Sequence, residues 1–242
     1  MPDFKKFSIL IPCFNEEKLI AAVLHKVCSV DIHYDLEKEI IVVDDGSQDN
    51  TFREIEAFIV SNPTAKINLL RHEKNQGKGA AIQSALSRAT GDIVLIQDAD
   101  FEYSPKDYKK LLEPVIDGYA DVVYGSRFIG TGPHRVLFFF HTIGNKMLTF
   151  LSNLFSQLNL TDMETGYKLF RMPVIKQVSL HEKGFGIEPE ITAKISRIKN
   201  IRIYEVGISY YGRTYDEGKK IRWTDGLHAI YCIFKYNIFS RK

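Results

Sequence analysis

Cysteine is scarce. Cys13, Cys28 and Cys232 are the three in 242 residues, and they form no CxxC pair. They suggest no disulfide framework, and a reducing, cytoplasmic setting is expected. No uninterrupted apolar run approaches the ~20 residues of a membrane span, and no signal-peptide pattern precedes the first apolar strand. The chain is therefore expected to cross no membrane, although it can lie on one. Neither sign of charge dominates: 32 Lys and Arg against 30 Asp and Glu leave a net charge of +2. Such a balance argues against a nucleic-acid partner. No repeat, low-complexity tract or linker marks a second domain, so a single domain over 1–242 is expected. Its 1–127 half and its 128–242 half differ in texture.

The first half alternates strands and helices. Strands are predicted at Phe7–Ile11, Glu39–Val43, Asn68–Leu70, from Ile93, and at Ala120–Tyr124. Helices are predicted from Glu16 to about Val30, from Asn50 or Thr51 (either one a cap) to about Val60, and from the 75–79 loop to about Ala89. Short connections between such units give a doubly wound, mostly parallel α/β sheet with helices on both faces. Polar clusters at the strand ends (Asn15-Glu16, Asp44-Asp45, Asp98 to Glu102, Arg127) would then line one crevice, where such sheets bind ligands.

The chain turns on Ile93 to Pro105, where an apolar run ends in Asp98, Asp100 and Glu102. Alternate residues of an extended chain point the same way, so three carboxylates could converge. Crowded carboxylates raise one another's pKa and call for a cation; oxygen donors suit Mg²⁺ or Mn²⁺. A solvated acidic turn is the plainer reading of the same residues. Gly77-Lys78-Gly79 is not a dinucleotide fingerprint, because Ile82 stands where the third glycine belongs, and no GxxxxGK[ST] loop occurs. These glycines instead open a helix whose amide end, with Lys78, faces an anion or packs closely.

In the second half, 136–158 carries Leu137, Phe140, Ile143, Met147, Leu151, Leu154 and Leu158 at helical spacing. The resulting amphipathic helix reads either as a core helix or, given Phe138 to Phe140 and Phe150, as a membrane-surface element. A short strand at Tyr167–Phe170, a helix from Glu188 to about Arg197 and a last strand at Ile201–Ile208 follow. The chain closes with a basic, Tyr-rich tail over Tyr210–Arg222 and a helix through Tyr236.

Taken in order, Ile11-Pro12 with Asn15-Glu16, Val42 to Ser47 with Asp49 and Thr51, Asn75 to Ala80, and Gln97 to Asp100 resemble the successive signatures of glycosyltransferase family 2. Asp98 to Pro105, Gly125-Ser126-Arg127, Asp162 to Gly166 and Arg213 to Lys220 are similar to its polyprenyl-phosphate, dolichol-phosphate mannose synthase-like branch. The resemblance implies a GT-A fold and an inverting transfer of a hexose from a GDP- or UDP-linked nucleotide sugar to a polyprenyl phosphate at the cytoplasmic membrane face. Pro12, Glu16 and Asp45 then match contacts to base and ribose, with Asn15 and Asp44 beside them. Asp98 and Asp100 match the DxD pair, and Glu102 a third metal ligand. Arg127 is expected to fork onto phosphate oxygens or, on the plainer reading, to form a surface ion pair. Thr165 stands where relatives carry Ser, and Arg135 is the candidate for an arginine expected after the fifth strand.

A phosphate acceptor is already ionised and needs cations rather than a base; Arg213, Lys219, Lys220 and Arg222 would supply them. Glu188 and Glu190 read either as a base pair or as complements to a helix dipole. Two alternatives stand beside this reading. One is transfer to a glycan hydroxyl, which needs a carboxylate base. The other is a non-catalytic nucleotide-sugar-binding subunit held by a membrane-anchor partner.

Overall fold

A computed structural model describes residues 4–130, 135–136, 139–213 and 223–239. The first strand, β1 (Lys6–Cys13), is a run of buried residues whose successive side chains enter two different layers. Helix α1 (Ile20–Ser29) buries Ile20, Val23, Leu24 and Val27, the stripe expected at i, i+3, i+4 and i+7. Then come β2 (Glu37–Asp44), α2 (Thr51–Ser61), β3 (Ile67–Arg71), α3 (Lys78–Arg88), β4 (Ile93–Ile96), α4 (Tyr108–Ile116) and β5 (Val122–Ser126). The second half supplies α5 (Phe139–Ser156), β6 (Lys168–Arg171), the short α6 (Met172–Ile175), α7 (Ile187–Ile195), β7 (Ile203–Gly207) and α8 (Trp223–Phe234), which ends in a π turn.

All seven strands form one sheet in the order β3-β2-β1-β4-β6-β5-β7. Strand alternation feeds two cores. Phe7, Ile9, Ile11, Leu95 and Leu169 meet α1 and α4 on one face. Leu10, Val43, Val94, Tyr124 and Phe170 meet α3, α7 and α8 on the other. Both faces are covered, as near-continuous apolar strands require. Crossovers run outward in opposite directions from β1 and β4, so the crevice for ligands lies between their carboxyl ends.

One strand breaks the parallel pattern. β6 runs antiparallel between β4 and β5, pairing Leu95 with Leu169 and Tyr124 with Lys168. Its reversed direction delivers the preceding segment, Asp162 to Tyr167, to the same edge as the ends of β4 and β5. The active-site crevice is therefore built from both halves of the chain.

The predicted 136–158 helix begins at Phe139 and ends at Ser156. It buries only Leu148, Thr149 and Ser152, while Phe139, Phe140, Phe150 and Leu154 are exposed. On α8, against which it packs, Trp223, Leu227 and Tyr231 are exposed too. Asn50 is the N-cap of α2, but its side chain makes no capping bond. Asp49 Oδ1 accepts Thr51 N instead, at 3.0 Å.

Candidate active site

β4 stops at Ile96, so Asp98, Asp100 and Glu102 lie in the loop beyond it and do not alternate as strand residues would. The three split between two cations. Asp98 Oδ1 is 2.9 Å from Lys78 Nζ, whose other neighbour is Glu188 Oε1 at 3.0 Å. Asp100 and Glu102 face Arg213: its Nη2 donates to Asp100 Oδ2 at 2.6 Å and its backbone N to Glu102 Oε1 at 2.8 Å. The same guanidinium lies 3.4 Å from Glu16 Oε1 at the end of β1. Burial, with Asp98 and Glu102 nearby, pushes the Asp100 carboxyl up to about 7, and Arg213 pulls in the other direction.

Five carboxylates thus crowd a crevice in which guanidinium and ammonium groups supply the positive charge. The donors are oxygen only and Arg213 stands in for a cation, so the residues fit a hard divalent ion such as Mg²⁺ or Mn²⁺. Gly166 is needed for this approach: a Cβ there would lie 2.3 Å from Asp98 Oδ2.

Several expected contacts are differently engaged. The Arg127 fork closes on buried Asp162, with Nε to Oδ2 at 2.6 Å and Nη2 to Oδ1 at 2.7 Å. Burial opposes the Arg127 charge, but Asp162 outweighs it and holds the guanidinium protonated. Arg127 is therefore not a surface ion pair; it ties the end of β5 to the 162–166 segment, under the ring of Tyr210.

Both Asp45 carboxylate oxygens are engaged within the protein. Oδ1 accepts Gln76 N at 2.9 Å and lies 2.6 Å from His72 Nδ1, and Oδ2 accepts Gly77 N at 2.7 Å. It clamps the loop that carries Lys78. Asp44, fully buried, accepts Ser47 N and pairs with Arg71. Asn15, at φ 49°, accepts Gln48 N and is bonded through its own N to Ser47 Oγ, so it braces the turn after β1 where Pro12 is the penultimate strand residue. Arg135 donates through Nη1 to Gly212 O at 2.7 Å and through N to Tyr210 O at 2.8 Å. It buttresses the Arg213 segment. Lys219, Lys220 and Arg222 lie outside the described residues.

The antiparallel β6 brings in Lys168, which motif spacing does not single out, and sets it beside Thr165, Glu164 and Glu188. Lys168, 1 % exposed, donates to Thr165 O, and burial lowers its ammonium to about 8 against the pull of Glu188 and Glu164. Burial, then the charge of Glu188, pushes the Glu164 carboxyl up to about 7. Thr165 Oγ1, Glu164 Oε1 and Glu188 Oε2 are buried and have no hydrogen-bond partner. Unpaired buried polar atoms are costly, so this cluster is held at the expense of stability. A lysine within the predicted apolar strand Tyr167–Phe170, the first residue of β6, is the sequence signal for this cluster. Glu190 is separate: its oxygens accept His181 N and Glu182 N, and it pairs with Lys194. It is structural, so the base pair read from Glu188 and Glu190 does not form.

The sequence matches the family described as glycosyl transferase family 2 over residues 8–179. It is 31 % identical over 218 residues to UDP-N-acetylglucosamine–dolichyl-phosphate N-acetylglucosaminyltransferase of Methanococcus voltae, covering 84 % of this chain and 85 % of that one. It is 26 % identical to dolichol-phosphate mannosyltransferase of Pyrococcus furiosus, covering 96 % of this chain and 64 % of that protein. Among solved structures, glucosyl-3-phosphoglycerate synthase of Mycobacterium tuberculosis, in complex with Mn²⁺, UDP and phosphoglyceric acid, superposes with a TM-score of 0.73 at 19 % identity, over 97 % of this chain and 79 % of that one. The fold is of the GT-A type, and the chain belongs to glycosyltransferase family 2 and is a glycosyltransferase.

Proposed function

We propose that this enzyme transfers a hexose from a UDP- or GDP-linked nucleotide sugar to a polyprenyl phosphate, dolichyl or undecaprenyl, with inversion, at the cytoplasmic face of a membrane. Asp98, Asp100 and Glu102 would hold Mg²⁺ or Mn²⁺. The observation that carries the reading is the position of Arg213, a cation on the acceptor-side segment lodged among the acids of the donor side. The names of the archaeal relatives support the acceptor, and the Mn²⁺ and UDP bound by the mycobacterial enzyme support the metal and the donor class.

Held by Asp98, Asp100 and Glu102, a divalent ion would supply positive charge for the leaving nucleoside diphosphate. The protein does the rest by position. Lys78, held between Asp98 and Glu188, keeps positive charge at the amide end of α3. Arg213, released from Asp100, carries its fork to the acceptor phosphate, which needs no deprotonation. Lys219 and Lys220 would add charge to that grip. Arg135 is pinned to Tyr210 and Gly212 in the Arg213 segment, and α5 exposes Phe139 and Phe140. A lipid phosphate meets both needs at once, cations for its head and apolar surface for its chain. Among the described residues no helix is long and apolar enough to cross a membrane, and a separate anchor subunit is compatible with this surface.

Transfer to a hydroxyl is the second reading. It is favoured by Glu188, which is buried near Asp98 with Oε2 unpartnered. A thermal-shift panel of GDP- and UDP-sugars with Mn²⁺ names the donor, and Glu188→Gln distinguishes the acceptors. Loss of metal-dependent stabilisation by every nucleotide sugar would overturn the donor assignment. Abolition of transfer in Glu188→Gln with donor affinity intact would favour the hydroxyl reading.

A further inference from the structure

Away from the crevice, α8 carries His228 and Cys232 four residues apart, hence on one face. Glu182, in the segment before α7, meets them. His228 Nε2 is 3.0 Å from Glu182 Oε2 and 3.4 Å from Cys232 Sγ, and one donor atom from each residue lies within 4.8 Å of the others. In a tetrahedral zinc site with ordinary bond lengths, nitrogen and oxygen stand about 3.4 Å apart and nitrogen and sulfur about 3.6 Å. Measured from His228 Nε2, the oxygen and the sulfur need spread by only a few tenths of an ångström.

Gly186 keeps open the point they face. Its φ of −68° is one any residue adopts, so backbone conformation does not demand glycine there. Space does. A Cβ at Gly186 would lie 2.6 Å from Cys232 Sγ, 3.0 Å from His228 Nε2 and 3.1 Å from Glu182 Oε2. One position free of side chain is therefore ringed by sulfur, nitrogen and oxygen. The second oxygen of Glu182 is fixed by Lys235 Nζ at 2.7 Å and Tyr236 OH at 2.6 Å, which aims the first at this point. The His228 side chain is 46 % exposed, giving the site a route to solvent and a water for a fourth position.

We propose that Glu182, His228 and Cys232 bind a borderline-soft divalent ion, zinc by donor chemistry, separately from the oxygen-only cluster around Asp100. A thiolate and an imidazole select zinc over Mg²⁺ or Mn²⁺. On binding, the Cys232 S–H bond gives its proton to solvent, a sulfur–metal bond forms, and neutral His228 and ionised Glu182 complete the set; one proton is released per ion. The ion fastens α8 to the 182–186 segment. That segment backs α3, since Lys183 O accepts Ala80 N at 3.0 Å and Glu182 O accepts Gln83 Nε2 at 2.9 Å. The site thereby braces the helix that begins at Lys78.

The test is a titration of the reduced, chelator-stripped full chain with Co²⁺, followed by competition with Zn²⁺. The expected result is a near-ultraviolet thiolate-to-cobalt charge-transfer band saturating at about one equivalent and bleached by Zn²⁺. Cys232→Ser should lack the band, and His228→Ala and Gly186→Ala should bind at least about tenfold more weakly. Asp100→Asn should keep it, which separates this site from the donor site. A wild-type chain without the band, or a band undiminished in Cys232→Ser, overturns the proposal. Because Cys232 is buried and its variant can misfold, half-exposed His228 provides an independent check: wild-type affinity in folded His228→Ala overturns it as well.

Discussion

Arg213→Ala should tighten the binding of Mn²⁺ to the donor-free enzyme while impairing transfer. Arg213 occupies the carboxylates that the ion needs. Its 2.6 Å bond to Asp100 is a short, charge-assisted contact, whereas the approaches to Glu16 at 3.4 Å and Glu102 at 3.6 Å are long and add little. A hydrogen bond between charged groups contributes about 1.5–3 kcal/mol, and an ion entering the cluster must forfeit it. Removing the guanidinium should therefore raise Mn²⁺ affinity by roughly 10- to 100-fold, at 1.4 kcal/mol per decade. The metal-free variant should also be less stable, because Asp100 then loses its counter-charge beside the neighbouring acids Glu102 and Glu16. Calorimetric titration with Mn²⁺, or paramagnetic resonance of free Mn²⁺, measures the first effect, and transfer to a short polyprenyl phosphate the second. Unchanged or weaker Mn²⁺ binding in a folded Arg213→Ala protein would refute the idea that this side chain and the metal compete for one place.

Asp162→Asn removes the charge that holds Arg127 and should lower stability by about 3–5 kcal/mol, as expected for breaking a buried pair from one side; chemical denaturation measures it, and a loss under about 1 kcal/mol would mean the pair is not a brace. Glu164→Gln tests the buried acid. The carboxyl has a folded pKa of about 7 against an ordinary 4.5, so the native state holds the extra proton between these values and wild-type stability falls as pH rises from about 4.5 to 7. The Gln variant should escape this fall and gain about 1–3 kcal/mol over wild type by about pH 8, at 1.36 kcal/mol per pKa unit, with no gain at about pH 4.5; a difference independent of pH would contradict the shift. Phe139→Ser/Phe140→Ser should weaken flotation with anionic vesicles by about tenfold or more, given about 25 cal/mol per Å² of apolar surface, and equal flotation of variant and wild type would remove α5 from the membrane surface.

The parallel half of the fold is legible in the sequence because its strands are short apolar runs ending in polar residues, a local pattern. α4 is not, because Pro114 sits inside it and Pro105 precedes it, so breakers mask the buried stripe of Tyr108, Leu111, Leu112 and Val115. The acids of the crevice are legible as types and positions, but their partners are not. Asp45 clamps Gln76 and Gly77, 31 and 32 residues away, and Arg127 meets Asp162 only because β6 runs backwards. Such pairings depend on sheet order, which no local spacing encodes. The same reversal explains why Glu164, Lys168 and Glu188 share a buried cluster although their spacing in the chain suggests nothing.

The most direct measurement is sugar transfer by the purified full chain from UDP- and GDP-sugars to a short-chain polyprenyl phosphate, with Mn²⁺, with Mg²⁺ and with chelator, in wild type and Asp100→Asn. The account predicts a polyprenyl-phosphate sugar as product with one class of donor, abolished by chelation and by Asp100→Asn while the variant keeps its fold. Transfer that persists in chelator, or that Asp100→Asn leaves near wild type, would contradict it, as would transfer to a hydroxyl acceptor in place of the lipid phosphate.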